Sequence, residues 1–267
     1  MKTIGILGCG WLGLPLGAHF VRAGWEVRGS TTRPERGEEL RAAGIAPFVF
    51  KFAPAHAGDD PAALLASDVL IVDTPPSKAG DYAEQMRQIA AAVPPGAAPR
   101  VIFTSSTSVY PDLKREVVEA DVTEPEHANH RAVAEAEAVW RASRFSTTVL
   151  RCAGLMGGRR IPGRYTAGRT LNRPGDAPVN LVHREDVIGV VCEVIQQAAW
   201  SEVFNVVAPL TARCAELYEL NAARYGWEPT TFTGTMAGGW KRISGQKLYD
   251  QLGYTYAQPD PRMFVYP

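Results

Sequence analysis

The stretch GILGCGWLGLPLG, residues 5–17, decides the fold. Three glycines, Gly8, Gly10 and Gly13, follow an apolar run and lead into a segment of helical spacing. Each meets a different physical requirement. Gly8 permits a tight turn out of a strand, Gly10 lets the backbone approach a pyrophosphate with no Cβ in the way, and Gly13 allows a helix to pack closely on a sheet. The helix start then turns unpaired N–H groups and the positive end of its dipole toward the phosphates. The stretch therefore predicts a dinucleotide held by Gly8, Gly10, Trp11, Leu12 and Gly13; a glycine-rich turn with no ligand is the bland alternative.

Outward from this loop, the N-terminal half alternates apolar runs at 3–7, 26–30, 47–50, 69–73, 100–106 and 146–151 with helical spacing at 11–23, 34–43, 61–66, 79–93 and 129–143. That rhythm predicts an α/β fold, a Rossmann-type doubly wound parallel sheet. From 154 to 178 the chain is rich in glycine, proline and arginine and reads as a loop-rich insertion. An extended piece and a helix follow near 180–198, then a last strand at 202–208. Composition thus divides the chain into a dinucleotide-binding domain, 1–153 and 179–208, and a small discontinuous C-terminal substrate domain, 154–178 and 209–267. The second is expected to form a lid at the carboxyl edge of the sheet, where open α/β sheets bind ligands.

Across 267 residues, 46% hydrophobic content lets the chain bury a sizeable core. Lys and Arg together number 28, as do Asp and Glu, so no net field draws the protein to nucleic acid or an anionic membrane. A small-molecule substrate is favoured. The four cysteines, Cys9, Cys152, Cys192 and Cys214, are widely spaced, as expected for reduced thiols in a cytoplasm. No leader precedes the first strand and no apolar run has the length of a membrane span, so neither membrane nor export is expected.

The second strand bears on coenzyme choice. An NAD site places an acid about 20 residues beyond the glycines for the ribose 2′-hydroxyl, whereas an arginine accommodates a 2′-phosphate. Here RGSTTRPER, residues 28–36, offers Ser30, Thr31, Thr32 and Arg33 before any acid. The reading is NADP(H) in preference to NAD(H), with Arg33 as a solvated loop charge the alternative.

The stretches GILGCGWLG (5–13), TSSTSVYPD (104–112), LRCAGLMGG (150–158), VNLVHREDVIGVV (179–191), EVFNVVAP (202–209) and KRISGQKLYDQLGY (241–254) together make the chain resemble the extended short-chain dehydrogenase/reductase family, in its atypical NAD(P)-dependent epimerase/dehydratase-like branch. The resemblance spans nearly the whole chain. It implies a catalytic serine at Ser106, cofactor contacts at Asp73, Thr74, Pro75, Thr104 and Ser105, and a homodimer paired through the helices at 79–93 and 129–143.

The family also implies a Tyr and a Lys four residues apart on one helix face, where the ammonium can lower the phenol's pKa. Counted back from Glu137, those positions hold Asn129 and Val133, and no tyrosine lies between Tyr110 and Tyr165. His130, with His127 behind it, is the substitute acid/base, and Tyr110 a further candidate proton donor. Both histidines read equally well as exposed helix-start residues. They lack an evident third ligand, so no metal site is expected. His183 resembles a family position near the cofactor-domain hinge and is expected to orient the loop before the 185–198 helix. Arg159, Arg160, Arg164, Arg169 and Arg173 would meet an anionic substrate, or only solvent and nearby carboxylates such as Asp176 and Glu185. The function expected is an NADP(H)-dependent oxidoreductase or epimerase/dehydratase-like enzyme; the alternative is a catalytically inactive NADP(H)-binding sensor.

Overall fold

A computed structural model describes residues 2–52, 56–76, 81–264 and 266. Ser77, the last residue of the stretch after the fourth predicted strand, and the first two residues of the helix expected at 79–93 lie outside the described residues.

The predicted strands form. They are β1 (Thr3–Leu7), β2 (Glu26–Thr31), β3 (Ala46–Lys51), β5 (Val69–Val72), β6 (Arg100–Ser106), β7 (Thr147–Cys152) and β8 (Val203–Val206), with a two-residue β4 (Ala57–Gly58) at the edge. They make one sheet in the order β8-β7-β6-β5-β1-β2-β3-β4. β1 pairs in parallel with both β2 and β5, so the order reverses beside the glycine loop, the switch point at which doubly wound sheets take their ligands. The helices between the strands are α1 (Gly13–Arg22), α2 (Gly37–Ala42), α3 (Ala62–Leu65), α4 (Tyr82–Ala92) and α5 (Arg131–Arg141).

Parallel strands covered on both faces read as continuous apolar runs, and β5, VLIV, is buried along its whole length. Alternate residues serve opposite faces. Leu70, Val72, Val101 and Phe103 join Met86 and Ile89 of α4 and Trp140 of α5 in one cluster. On the other face Ile6 lies against α1 at Gly13 and Gly17, where an added Cβ would come within 3.2 Å of its side chain. At the sheet's start Asp68 accepts from Thr3 N at 2.8 Å and Thr3 Oγ1 at 2.9 Å, which holds its carboxyl below the usual range.

Packing divides the chain into two compact units, residues 1–105, 124–150 and 198–203 in one and 106–123, 151–197 and 204–267 in the other. Composition had placed the divisions at 153/154, 178/179 and 208/209. The chain passes between the units within β6, β7 and β8 and in the loops at 123/124 and 197/198, a division that glycine and proline content does not mark.

The second unit holds α6 (Arg184–Gln196), α7 (Cys214–Tyr225) and α8 (Gln246–Leu252). The segment expected to be loop-rich contains short strands: Gly154–Met156 pairs with Leu181–His183, and Thr170–Pro174 with Thr231–Gly234. Their partners lie far away in sequence, so local pattern gives no sign of them. His183 caps α6, its Nδ1 accepting from Glu185 N at 3.4 Å, in keeping with the orienting role expected of it. Asp186 is fully buried and accepts from Tyr254 Oη, Ala257 N and Gln258 N at 3.0, 2.6 and 3.1 Å, tying down the C-terminal segment.

Candidate functional site

The glycine loop lines a cavity of about 570 Å³ in the first unit. Its three glycines behave differently. Gly8 has φ of +96°, and a Cβ there would lie 2.6 Å from Asp73 O. A Cβ on Gly13 would collide with the Gly8 carbonyl. Both are glycine for the sake of the fold. Gly10 faces open space, for the nearest atom to an added Cβ is Gly8 O at 3.9 Å. The loop is fixed from β2: Gly8 N donates to Ser30 Oγ at 2.9 Å and Cys9 N to Ser30 O at 2.8 Å. Cys9 also lines the cavity, but burial, with the Asp73 charge adding, pushes its thiol up to about 12, so it stays a small neutral group.

The rest of the wall suits an anionic, hydroxyl-bearing ligand. Among the described residues Thr74 Oγ1 is buried without a hydrogen-bond partner. Arg33, Arg36 and Lys51 line the cavity, and among the described residues none that lines it is an acid. Arg36 is set by Glu39, to which its Nε donates at 2.8 Å. Thr31 Oγ1 accepts from Arg33 N at 3.1 Å and shapes the turn carrying Arg33. An open Gly10, a lone threonine hydroxyl and three cations fit a nicotinamide dinucleotide.

The second unit has its own cavity, about 830 Å³, lined by Ser106, Ser108, Asp112, Arg173, Asn180 and Lys241 among others. Ser106 Oγ accepts from Ser108 N at 3.1 Å, closing a one-turn helix, Thr107–Val109. Lys241 Nζ donates to Tyr110 O at 2.8 Å and to Asp112 Oδ1 at 2.9 Å. Asn180 holds the segment that carries Lys241, donating to Lys241 O at 3.0 Å and accepting from Ile243 N at 2.8 Å.

Tyr110 does not suit the proton-donor role. It has no exposed surface and lines neither cavity. Its hydroxyl donates to Asn205 Oδ1 at 2.6 Å and accepts from Arg151 Nη1 at 2.9 Å. Burial pushes its pKa up to about 12 although the Arg151 charge pulls the other way. Arg151, itself buried, also donates to the carbonyls of Glu119 and Val122 at 3.1 and 2.8 Å. A buried guanidinium persists only where its donors are met, and Tyr110 is one of the groups that meets them.

No protein-family model matches the chain. Protein YeeZ of Escherichia coli strain K12 is 35% identical over 270 residues, covering 98% of each chain. The chain belongs to the same family as Protein YeeZ. Among solved structures, a proposed NAD-dependent epimerase/dehydratase from Methylobacillus flagellatus is 25% identical with a TM-score of 0.71, the match covering 97% of this chain and 94% of that one. UDP-glucuronic acid 4-epimerase from Bacillus cereus, crystallised with NAD, shares the fold with a TM-score of 0.77 at 15% identity, covering 96% and 94%.

Against this family background, the expected site residues separate into groups. Gly8, Gly10, Ser30, Thr31, Thr32, Arg33, Thr74 and Pro75 share the glycine-loop cavity. Trp11, Leu12, Gly13, Asp73, Thr104 and Ser105 do not line it. Leu12 is buried, and Gly13 is taken up by helix packing. Asp73 N pairs with Leu7 O at 2.8 Å, continuing the sheet. Ser105 Oγ makes a short hydrogen bond to buried Glu137. His127 and His130 are exposed beside α5 and line neither cavity. Of the five arginines in the insertion, only Arg173 lines the 830 Å³ cavity. Asp176 pairs with Arg213, at 3.3 Å. Sequence reasoning missed Arg36, Lys51, Asp112, Asn180 and Lys241. Arg36 stood inside the quoted RGSTTRPER, and Asp112 and Lys241 inside family stretches, but only long-range folding shows which cavity each one lines.

Proposed function

We propose that this chain is an NADP(H)-dependent oxidoreductase or epimerase/dehydratase-like enzyme that acts on a C=O or C=N bond of a small anionic metabolite. The observation that carries the reading is the glycine-loop cavity, where, among the described residues, an open Gly10 and a Thr74 hydroxyl with no partner share the wall with three cations and no lining acid. An NAD-selective site of this type uses a carboxylate at the end of β2. Here Ser30 to Arg33 occupy that region, and a pocket lined by Arg33, Arg36 and Lys51, with no carboxylate among its described lining residues, favours a 2′-phosphate. The NAD bound to the B. cereus epimerase supports a dinucleotide in general terms.

In this reading the loop from Gly8 to Gly13 holds the pyrophosphate, and Thr74 meets a ribose. The dinucleotide, when bound, supplies or accepts the hydride. Ser106 donates a hydrogen bond to the substrate oxygen that gains negative charge, while Arg173 and Lys241 hold the substrate's anionic group. With the Tyr110 hydroxyl engaged by Arg151 and Asn205, His130, exposed and outside both cavities, is the proton-donor candidate that remains in the proposal. A cytoplasmic location and a homodimer paired through α4 and α5 go with it.

The second reading is an NADP(H)-binding sensor without turnover. It is favoured by the missing Tyr and Lys and by the burial of Tyr110. Purified protein with NADPH and a panel of ketones, imines and nucleotide sugars separates the two. The enzyme reading expects turnover that falls by about 100-fold or more in Ser106→Ala, the usual loss of one charge-stabilising donor. Tight NADPH binding with no turnover across the panel would favour the sensor, and no binding would contradict both.

A further inference from the structure

The 830 Å³ cavity holds a charge arrangement that substrate binding alone does not require. Two cations, Arg173 and Lys241, line it with one carboxylate, Asp112. Lys241 is only 17% exposed in its side chain, and Asp112 is 55% exposed. Lys241 Nζ is held from one side by Tyr110 O at 2.8 Å, a backbone group, and from the other by Asp112 Oδ1 at 2.9 Å, the carboxylate of a half-exposed side chain. An ammonium has three donors, and these contacts use two. The Asp112 carboxylate therefore occupies a position on Lys241 that an incoming oxyanion would also favour. Its removal costs little, because a half-exposed ion pair contributes only a small stabilisation.

We infer that Asp112 is a built-in competitor for the substrate's oxyanion: it masks Lys241 until a phosphate or carboxylate group displaces it. This rests on the reading of the cavity as a substrate site and adds a residue that tunes affinity and selectivity within it. With Asp112 on Lys241 the cavity carries one net positive charge; with Asp112 rotated out, Lys241 and Arg173 present two to the ligand. A neutral ligand cannot repay the displacement, so the pair discriminates against uncharged molecules. The backbone contact to Tyr110 keeps the ammonium in place through the exchange, so the site does not collapse when Asp112 leaves.

The test is calorimetric titration of inorganic phosphate, and separately of acetate, into wild type, Asp112→Asn and Lys241→Met. Saturating NADPH is present throughout so that the cations of the glycine-loop cavity are already engaged. The inference expects Asp112→Asn to bind either or both anions about two- to fivefold more tightly than wild type, the worth of a partly exposed ion pair. It expects Lys241→Met to lose that binding, with circular dichroism confirming that it is folded. The anion that gains more identifies whether phosphate or carboxylate is the preferred source. Unchanged or weaker binding of both anions in Asp112→Asn would overturn the inference, as would undiminished binding in folded Lys241→Met. A parallel NADPH titration of wild type reports on the proposed function independently, since coenzyme binding with no gain in Asp112→Asn sinks only the masking role.

Discussion

Replacing Tyr110 by Phe separates a structural tyrosine from a catalytic one. The substitution keeps the ring, over which the Arg151 guanidinium sits 5.1 Å from the centroid, and removes only the oxygen. Two hydrogen bonds disappear, one accepted from Arg151 at 2.9 Å and one donated to Asn205 at 2.6 Å. Both partners stay buried, and a buried group left unsatisfied costs about 1–3 kcal/mol, more for a charged one. Arg151 keeps its bonds to the carbonyls of Glu119 and Val122, which limits the loss. A net cost of about 2 kcal/mol follows, which lowers the melting temperature by roughly 4–8 °C in a protein of this size. Differential scanning calorimetry and urea unfolding read it directly, and NADPH affinity at 20 °C should be unchanged. A melting temperature within about 1 °C of wild type, with turnover lost, would show that the hydroxyl does chemistry and refute the reasoning.

Two further substitutions probe the first unit. Gly10→Ala should leave the melting temperature of the free protein nearly unchanged, because the added Cβ meets nothing closer than Gly8 O at 3.9 Å, yet weaken NADPH binding about tenfold or more by filling the space the pyrophosphate needs; isothermal titration gives the affinity. Asp68 has its carboxyl held low by Thr3, so its ionised form supports the fold above the unfolded carboxylate's pKa, and that support is lost as pH falls through the lower folded value. Asp68→Asn should therefore be less stable than wild type at pH 7 by about 1 kcal/mol or less, given its exposure, with the difference vanishing near pH 2, as read from urea midpoints across pH.

The parts of the fold that announced themselves did so through local signals. β1, the glycine loop and α1 are contiguous, and the apolar strands of a doubly wound sheet are continuous runs that need no partner to be recognised. The short pairs Gly154–Met156 with Leu181–His183 and Thr170–Pro174 with Thr231–Gly234 carry no such signal, because two or three hydrogen bonds to a distant segment leave no periodicity. The same distinction runs through the site. Ser30 and Arg33 were legible as neighbours of the glycine loop because β2 pairs with β1 and ends beside it. Lys241 was not, since it reaches Asp112 across 129 residues and its place depends on Asn180 bridging to its carbonyl. The surroundings of Tyr110 were hidden for a related reason: a tyrosine just past a strand end looks accessible in sequence, whereas its oxygen is buried against Arg151.

The central claim is that a phosphorylated nicotinamide dinucleotide lies against the glycine loop with its 2′-phosphate among Arg33, Arg36 and Lys51. Its most direct measurement is a pair of calorimetric titrations, NADPH and NADH into wild-type protein under one buffer and ionic strength. The account predicts NADPH binding at least about tenfold tighter, as a charge-assisted phosphate contact implies. Equal affinity, tighter binding of NADH, or heat from neither coenzyme would contradict it.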